Sequence, residues 1–478
     1  MNNSSANGSS SAHALAGLSS KALLRFIDSL EGADARFGET LDPHGVCIMR
    51  GGEIVWEAVW KPYSLEHAAL VYSASKTYTS MAIGFCENEG LLSLDDDPGV
   101  ILGLPNPHGI TIRHLLTMNT GHEESTINEL DWEKDSLLST PPEHTPGTHF
   151  SYNSQATFVL SCVVTAVTGQ RLTEYLRPRL LDPLGIGDRW MRRIRDVDFG
   201  ASGYHLTVRD LARTGAMLAA GGKDGEVTVV PSAYIEEMQK PWSDNSGAPD
   251  PSLDEYIRRT AQENWGAGYG YQVWRSREGF RLDGAYGQFS LIIPERDIVV
   301  AYQGATTNTA ATMAVLWELI DDWGDAPAQE SAEQLEQLVR RAGSLDSWSF
   351  SARYRAAPDG ELVSTRCWRE DNGMLRIGLD MFVGLEGMSV HVGEYEWLQT
   401  TIEVPGTQNP ANLLPLAVRG EEDIDGKVRI HIVVTSSPHR VLATGDIGGE
   451  LEAAWHTVPL RYETAKDIAV PRVVVDAV

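Results

Sequence analysis

Two predicted strand pairs that lie far apart in the chain bracket a long helical stretch, and this arrangement constrains the fold most. The first pair, Val46–Arg50 and Glu53–Val59, flanks Gly51-Gly52, a dipeptide typical of a tight hairpin turn. The second pair is Gln288–Ile293 and Ile298–Gln303, joined by Pro-Glu-Arg-Asp. Because strands from both ends can pair in one sheet, we expect an α+β domain: one antiparallel sheet with flanking helices and a helical insertion to one side.

Several segments show the apolar spacing of helices. Residues 74–89 and 155–168 each carry apolar residues three and four positions apart and end before a glycine. Thr207 is predicted to be the N-cap of a third helix. A fourth helix, with an apolar face between residues 316 and 323, follows the second strand pair.

The composition changes towards the C-terminus and predicts a second domain. Residues 326–344 are polar and are interpreted as a helical linker. Residues 345–478 contain many short strand-like runs, with hairpin signals at Asp359-Gly360, Asn372-Gly373 and Asp425-Gly426. We therefore expect an all-β domain over 345–478, a barrel or a sandwich, of which a lipocalin-like barrel is one form. The first domain then spans residues 21–325, after a Ser-, Asn- and Ala-rich tail over 1–20 that is predicted to be disordered.

The charge of the chain argues against several classes of partner. It has 39 Lys and Arg against 66 Asp and Glu, a net charge of −27, which repels phosphate backbones and anionic lipids. No run resembles a signal peptide or a membrane span, so the prediction is a cytoplasmic protein without nucleic-acid or membrane partners. A homodimer is one option for its assembly.

Neither a metal nor a disulfide framework is expected. The four cysteines have no paired spacing, and Cys86 and Cys162 fall on the apolar faces of predicted helices, which indicates core positions. His114, His122, Glu123 and Glu124 match no metal-ligand spacing, so we interpret them as residues of a solvated loop. No organic cofactor motif is present, since the chain has no P-loop and no G-x-G-x-x-G dinucleotide fingerprint.

The chemistry points to Ser73 and Lys76. Residues three apart share a helix face, and a serine that opens a helix lies among unpaired backbone N–H groups at the positive end of the dipole. A partly desolvated lysine on that face can be neutral often enough to accept the serine proton. The alternative is a serine N-cap followed by a surface lysine, because S-x-x-K occurs by chance in many chains.

Further landmarks resemble one family of serine hydrolases. Ser73-Ala74-Ser75-Lys76 is similar to the first motif of class C β-lactamases, penicillin-binding proteins and their family VIII esterase and peptidase relatives. The stretches at 111–121, 146–154, 182–186 and 207–212 resemble later landmarks of that family in the same order, over roughly residues 40–325. This resemblance implies a β-lactamase/transpeptidase-like fold and an acyl-enzyme mechanism.

Within the resemblance, Tyr152 matches the tyrosine of the family's Tyr-x-Asn motif, which works with the lysine as base and then as acid. Ser154 replaces the asparagine of that motif. The third motif, Lys-Thr-Gly or His-x-Gly in the family, is replaced by a run from Arg281 to Gln288, in which Gly284, Tyr286 and Gly287 are candidates for substrate and oxyanion binding. Arg281 could supply the cation, or it could form an ordinary surface ion pair with Asp283.

Four aromatic residues precede the third motif and have two readings. They either line a substrate pocket or belong to the core: Trp265, Tyr269, Tyr271 and Trp274.

The predicted function is hydrolysis of an ester or amide bond in a small molecule or short peptide through a covalent Ser73 intermediate. Lys76 and Tyr152 are the predicted general base and acid. The departures at Ser154 and in the third motif argue against an efficient β-lactamase. Two alternatives stay open: a penicillin-binding-protein-type thioesterase that cyclises peptides, whose relatives also carry a β-barrel domain, and a non-catalytic binding protein on the same scaffold.

Overall fold

The computed structural model describes residues 16–32, 41–130, 136–246, 255–324, 330–357, 361–406, 411–460 and 464–475. The chain divides into two compact units. The terminal unit comprises Met1–Val46, Val55–Leu70 and Gln303–Val478, and the central unit comprises Cys47–Ile54 and Val71–Tyr302. Most of the predicted N-terminal tail, the first residues of the predicted linker and the predicted turn at Asp359-Gly360 lie outside the described residues. The predicted domain boundaries therefore stay predictions.

The helices are, in chain order, α1 (Ser20–Leu30), α2 (Ser75–Asn88), α3 (Pro98–Leu102), α4 (Ile112–Leu116), α5 (Glu124–Glu129), α6 (Ser136–Ser139), α7 (Ser154–Thr168), α8 (Leu172–Leu176), α9 (Val208–Ala219), α10 (Ser232–Met238), α11 (Glu255–Trp265), α12 (Thr309–Asp321), α13 (Ala332–Ala342), α14 (Ala465–Ile468) and α15 (Arg472–Val475). The strands are β1 (Pro43–Arg50), β2 (Glu53–Val59), β3 (Ala69–Leu70), β4 (Arg193–Ile194), β5 (Val197–Asp198), β6 (His205–Leu206), β7 (Lys223–Asp224), β8 (Val227–Thr228), β9 (Trp274–Arg275), β10 (Phe280–Gly284), β11 (Gln288–Ile293), β12 (Ile298–Gly304), β13 (Val363–Arg369), β14 (Leu375–Gly378), β15 (Ser389–His391), β16 (Gly393–Glu394), β17 (Leu398–Glu403), β18 (Leu413–Glu422), β19 (Lys427–Val434), β20 (His439–Asp446) and β21 (Glu450–Trp455).

The predicted sheet built from both strand pairs is present. A six-stranded sheet has the order β2-β1-β12-β11-β10-β9. Gly51 and Gly52 turn the first hairpin with φ of 59° and 81°, values that favour glycine. In the second hairpin, the antiparallel register pairs Ile293 with Ile298. The predicted α+β fold class is therefore confirmed for this part of the chain.

Helix α2 differs from its expected amphipathic form. All of its residues from Ser75 to Cys86 are buried, polar ones included. The hydroxyl groups tolerate burial because they have partners: Thr77 donates to the carbonyl of Gln272 at 2.9 Å, and Thr79 donates to that of Gly200, also at 2.9 Å. The helix that carries Lys76 is thus packed on all its faces.

Helix α9 begins as predicted. The Thr207 side chain accepts a hydrogen bond from Asp210 N at 3.0 Å, and the Asp210 carboxylate accepts one from Thr207 N at 2.9 Å, a reciprocal capping box. Gly215 lets the helix lie close to the sheet, since a Cβ there would be 2.5 Å from Ser290 Oγ. In α12 the helix ends at Asp321, so Trp323 is a buried residue beyond its end.

The terminal unit contains the predicted all-β region. Its nine-stranded sheet has the order β15-β14-β13-β21-β20-β19-β18-β16, with β17 paired to β18. The predicted turns at Asn372-Gly373 and Asp425-Gly426 connect β13 to β14 and β18 to β19. Burial alternates in the first half of β19, where Val428 and Ile430 are buried, and the residues from Ile430 to Val434 are all buried.

All four cysteines are free and buried, as predicted for Cys86 and Cys162. None of the helices in the described ranges is both long enough and apolar enough to cross a bilayer.

Candidate active site

Ser73 lies in a tight turn immediately before α2. The turn is a single 3-10 segment, Tyr72–Ala74, and Tyr72 has a φ of 47°, a region that bulky residues seldom adopt. Ser75 holds the turn, because its Oγ donates to Tyr72 O at 2.6 Å and accepts from Tyr204 N at 3.2 Å. The Ser73 side chain is left half-buried at the start of the helix.

Lys76 is the centre of the site. Its side chain is buried, and Nζ donates to Ser73 Oγ at 3.0 Å, to Ser154 Oγ at 3.0 Å and to Ala201 O at 2.7 Å. All three acceptors are neutral oxygens. Burial lowers the pKa of Lys76 to about 7, so a substantial fraction of its amine is neutral at physiological pH. A lysine in this state can accept a proton from the adjacent serine.

The carbonyl of Ala201 is a part of the site that sequence reasoning missed. Gly200, which precedes it, has a φ of 66°, and a Cβ there would lie 2.8 Å from the Cβ of Ser161. The Gly200 carbonyl in turn accepts from Thr79 Oγ1 on α2. A glycine before the carbonyl is the only local sign of this contact, and nothing in the sequence relates it to Lys76.

The second motif divides its roles between adjacent residues. Asn153 is buried and caps α7, accepting from Ala156 N at 3.2 Å. This leaves Ser154, the first residue of α7, to accept from Lys76. The Tyr152 hydroxyl hydrogen-bonds to Ser73, and the ring centroid of Tyr152 is 5.1 Å from Lys76 Nζ. Burial raises the pKa of the Tyr152 phenol, which is therefore protonated at neutral pH.

The third-motif region lies beside the nucleophile turn. Gly284 ends β10, and a Cβ at that position would collide with the carbonyl oxygen of Val71. Tyr286 and Gly287 form the following turn with φ of 64° and 85°. The ring of Tyr286 packs edge-on against Tyr72, with centroids 5.6 Å apart. Glycine at 284 is thus required for the close approach of β10 to the residues around Ser73.

Arg281 packs against two of the candidate aromatic residues, with its guanidinium 4.4 Å from the ring centroid of Trp265 and 5.8 Å from that of Trp274. It is fully buried, and it donates to the carbonyls of Asn264 and Arg275 and, through Nε, to Asp283 at 2.9 Å. The alternative of an ordinary surface ion pair is therefore wrong, because the pair lies inside the protein. Burial lowers the pKa of Arg281 and raises that of Asp283.

Burial raises the pKa of Tyr152 and of Tyr269, and the negative charge of Asp283 adds to both shifts. The third-motif region of this chain thus carries a buried ion pair, Arg281 with Asp283, rather than a single cation.

The four aromatic residues before the third motif separate into two pairs. Tyr269 and Tyr271 are buried. Trp265 and Trp274 line a cavity of about 510 Å³ together with Phe150 and the polar residues Asp244, Asn245 and Ser246. Trp274 also stacks on Tyr152, with centroids 5.4 Å apart and planes 27° apart. An aromatic cavity therefore opens next to the tyrosine of the site.

The predicted solvated loop is only partly solvated. His122 is buried, and its two ring nitrogens pair with Thr120 Oγ1 and Thr140 O at 3.0 Å each, so its assignment to a solvated loop is wrong. His114 is partly buried and accepts from Thr111 N at 3.1 Å at the start of α4. Both rings take part in local structure.

This chain is similar to several known proteins. A family model described as Beta-lactamase matches residues 43–323, more than half of the chain. A curated relative, lovastatin esterase of Penicillium rubens, is 26% identical over 196 residues, which cover 34% of this chain and 49% of that protein. The chain thus spans about half the length of the curated relative it matches.

Two solved structures are similar as well. One is a Bacteroides dorei protein whose description as a beta-lactamase is provisional, with 18% identity, a TM-score of 0.52, and coverage of 64% of this chain and 98% of that chain. The other is an octameric penicillin-binding protein homologue from Pyrococcus abyssi, with 16% identity, a TM-score of 0.47, and coverage of 91% of this chain and 99% of that chain. The first of these likenesses shows a shared fold.

Proposed function

The chain belongs to the beta-lactamase family, and from this premise we propose that it hydrolyses an ester or amide bond through a covalent intermediate on Ser73. The observation that carries the proposal is the position of Lys76 Nζ, 3.0 Å from Ser73 Oγ, together with a pKa lowered to about 7. A buried lysine with neutral acceptors is arranged to act as a base rather than as a structural cation.

In the proposed acylation step, neutral Lys76 takes the proton of Ser73, and Oγ attacks the substrate carbonyl. The bond to the leaving group breaks, and Tyr152 donates its phenolic proton to the leaving atom. Lys76 then returns the Ser73 proton to Tyr152. The raised pKa of Tyr152 favours this role, because a protonated phenol is available as an acid while the base role falls on Lys76.

Water then attacks the acyl-Ser73 ester, and its proton passes to the neutral Lys76 and on to Ser73 Oγ as the acid leaves. Negative charge on the carbonyl oxygen requires hydrogen-bond donors in both steps. We assign these donors to the backbone N–H of Ser73 and to a backbone N–H of the 284–287 turn. Gly284 at the start of this turn lies close to the residues preceding Ser73, since a Cβ there would be 2.1 Å from the carbonyl oxygen of Val71.

The substrates we favour are uncharged esters with an apolar or aromatic group. Such a group can contact the aromatic rings of the cavity. Its lining comprises Phe150, Trp265 and Trp274 together with the polar residues Asp244, Asn245 and Ser246. The Asp244 carboxylate, which also lines this cavity, disfavours a substrate group that carries its own carboxylate, as β-lactam antibiotics do. The name of the relative lovastatin esterase denotes an ester substrate and agrees with this preference.

The nucleophile is tested with Ser73→Ala, which should abolish both labelling by a fluorophosphonate probe and ester turnover. Ser80→Ala is the matched control: Ser80 lies on the same helix, but its hydroxyl pairs with Tyr234 OH at 3.0 Å. We expect this control to keep labelling and turnover. Labelling that persists in Ser73→Ala would contradict the assignment of the nucleophile.

The substrate class is tested separately with aromatic and short aliphatic p-nitrophenyl esters, an amino-acid anilide and nitrocefin. We expect the aromatic ester to have the highest kcat/KM and nitrocefin, which carries a carboxylate, the lowest. If nitrocefin is the best substrate while Ser73→Ala is inactive, the substrate assignment is wrong and the nucleophile assignment stands.

A further inference from the structure

A carboxylate and two imidazoles meet at the surface of the central unit. Glu123 Oε1 lies 2.6 Å from His144 Nε2, and Glu123 Oε2 lies 3.9 Å from His149 Nε2. The two histidine rings are stacked, with centroids 4.1 Å apart and planes 21° apart. The three groups offer ligand atoms that all lie within 4.8 Å of one another.

The backbone explains why these residues converge. His144 N donates to Gly121 O at 2.9 Å, and Gly147 N donates to Asn119 O at 2.7 Å, so two chain segments run side by side. A Cβ at Gly121 would collide with the carbonyl oxygen of His144, so glycine is needed for this approach. Glu123 on one segment therefore faces both histidines on the other.

Neighbouring polar groups are occupied elsewhere. The Glu143 carboxylate accepts from Glu123 N at 2.9 Å and from Thr126 Oγ1 at 2.6 Å, and both ring nitrogens of His122 pair inside the protein. The side chains of Glu123, His144 and His149 are 46%, 41% and 32% exposed, so an ion from solvent can reach them. Glu143 and His122 thus pair with other residues, whereas Glu123, His144 and His149 are paired with one another.

We propose that Glu123, His144 and His149 form a binding site for a divalent transition metal of the Zn²⁺ class. Two imidazoles and a carboxylate suit Zn²⁺, Co²⁺, Ni²⁺ or Cu²⁺, whereas Mg²⁺ and Ca²⁺ prefer oxygen ligands alone. Bonds of about 2.1 Å in a tetrahedral site separate ligand atoms by roughly 3.4 Å. Glu123 Oε1 and His144 Nε2, which are hydrogen-bonded at 2.6 Å, would move apart by about 0.8 Å to bind the ion. Glu123 Oε2 and His149 Nε2, now 3.9 Å apart, would move closer by about 0.5 Å.

Such an ion would cross-link the two segments, one of which continues through Phe150 to Tyr152. The expected consequence is a stiffer entry to the second motif and to the aromatic cavity that Phe150 lines. The site would leave at least one coordination position for water, since the protein supplies three ligands.

The test is calorimetric titration of ZnCl₂ into the full chain, untagged and freed of metal with EDTA. We expect one site in the wild type. Changes to groups that only orient metal ligands typically cost about 10- to 100-fold in affinity, so His144→Gln and His149→Gln should each cost at least about tenfold. His391→Gln is the matched control, because His391 is a surface histidine that also pairs with a glutamate, Glu370 at 3.1 Å, and it should leave the affinity unchanged.

Circular dichroism without metal establishes that each variant is folded. A second readout is the visible absorption of bound Co²⁺, which should be present in the wild type and in His391→Gln and absent in both site variants. The proposal is overturned if the wild type binds no Zn²⁺, or if folded His144→Gln and His149→Gln bind it as tightly as the wild type does.

Discussion

Two buried cations, Lys76 in the central unit and Arg440 in the terminal unit, differ in the atoms that surround them. Lys76 donates to two hydroxyls and one carbonyl, and burial lowers its pKa to about 7. Arg440 has Nη2 3.3 Å from the buried Asp42 carboxylate, and its guanidinium lies 4.2 Å from the ring centroid of Tyr354. Burial alone would lower the pKa of Arg440, but Asp42 and the neighbouring tyrosines outweigh it, and the pKa is raised.

The effect of burial on the pKa of a cation depends on the atoms in contact with it. Without a counter-charge, desolvation favours the neutral form and produces a base. At Arg440, the Asp42 carboxylate and the high intrinsic pKa of arginine keep the cation charged despite its burial. The choice of partner, rather than the depth of burial, separates a reactive site from a structural one. Three variants test whether the partner of each buried cation sets its role; the variant with the largest expected effect is given first.

Lys76→Arg should have the largest effect. Arginine keeps the positive charge and hydrogen-bonding capacity but stays protonated, so it cannot accept the Ser73 proton. We expect kcat/KM for an ester to fall by about 10²- to 10⁴-fold, the usual contribution of a general base, with no recovery between about pH 6 and about pH 10. Turnover close to that of the wild type would show that Lys76 is not the base.

Arg440→Met tests the structural member of the comparison. It would leave Asp42 buried without its cation, so we expect a loss of about 3–5 kcal/mol in the free energy of unfolding, measured by urea denaturation with tryptophan fluorescence. The control Arg25→Met removes an exposed ion pair with Asp322 and should cost less than about 1 kcal/mol. Equal stabilities of the two variants would contradict the assigned role of the buried pair.

Ser154→Asp would give Lys76 a carboxylate partner, as Arg440 has in Asp42. In the wild type, kcat/KM should rise with pH through about 7, because the base is active when Lys76 is deprotonated. A carboxylate next to Nζ favours the ammonium form and should move this rise upward by about 1–3 pH units. Ser154→Asn, which supplies a neutral acceptor, should keep the rise near pH 7. A profile for Ser154→Asp identical to that of Ser154→Asn would show that the neutral acceptors do not set the pKa of Lys76.

Local patterns predicted the parts of the site that lie within one turn of each other. The spacing of Ser73 and Lys76 implies a shared helix face, and the structure places their side chains in contact. Tyr152, by contrast, was indicated only by the family resemblance, and the structure brings its hydroxyl to Ser73. The inference from spacing succeeds because helix periodicity and capping depend on neighbouring residues only.

Other features depended on segments far apart in the chain. The Ala201 carbonyl reaches Lys76 across 125 positions, and Gln272, buried with an unusual φ of 60°, accepts from Thr77 and Thr157 on two different helices. Arg281 had two sequence interpretations because an Arg-x-Asp spacing on a strand is compatible with either face of a sheet. Its burial is decided by the packing of other segments against that strand.

Periodicity, turn residues and short motifs predicted the fold class, the family and the nucleophile candidate, because all three are local properties of the chain. Only the tertiary structure decided that Lys76 is surrounded by neutral oxygens, that Asn153 caps a helix while Ser154 faces the lysine, and that Glu123 meets two histidines on another segment. The physical reason is that pKa values and ligand sets depend on three-dimensional surroundings. Those surroundings are assembled from residues whose separation along the chain carries no signal.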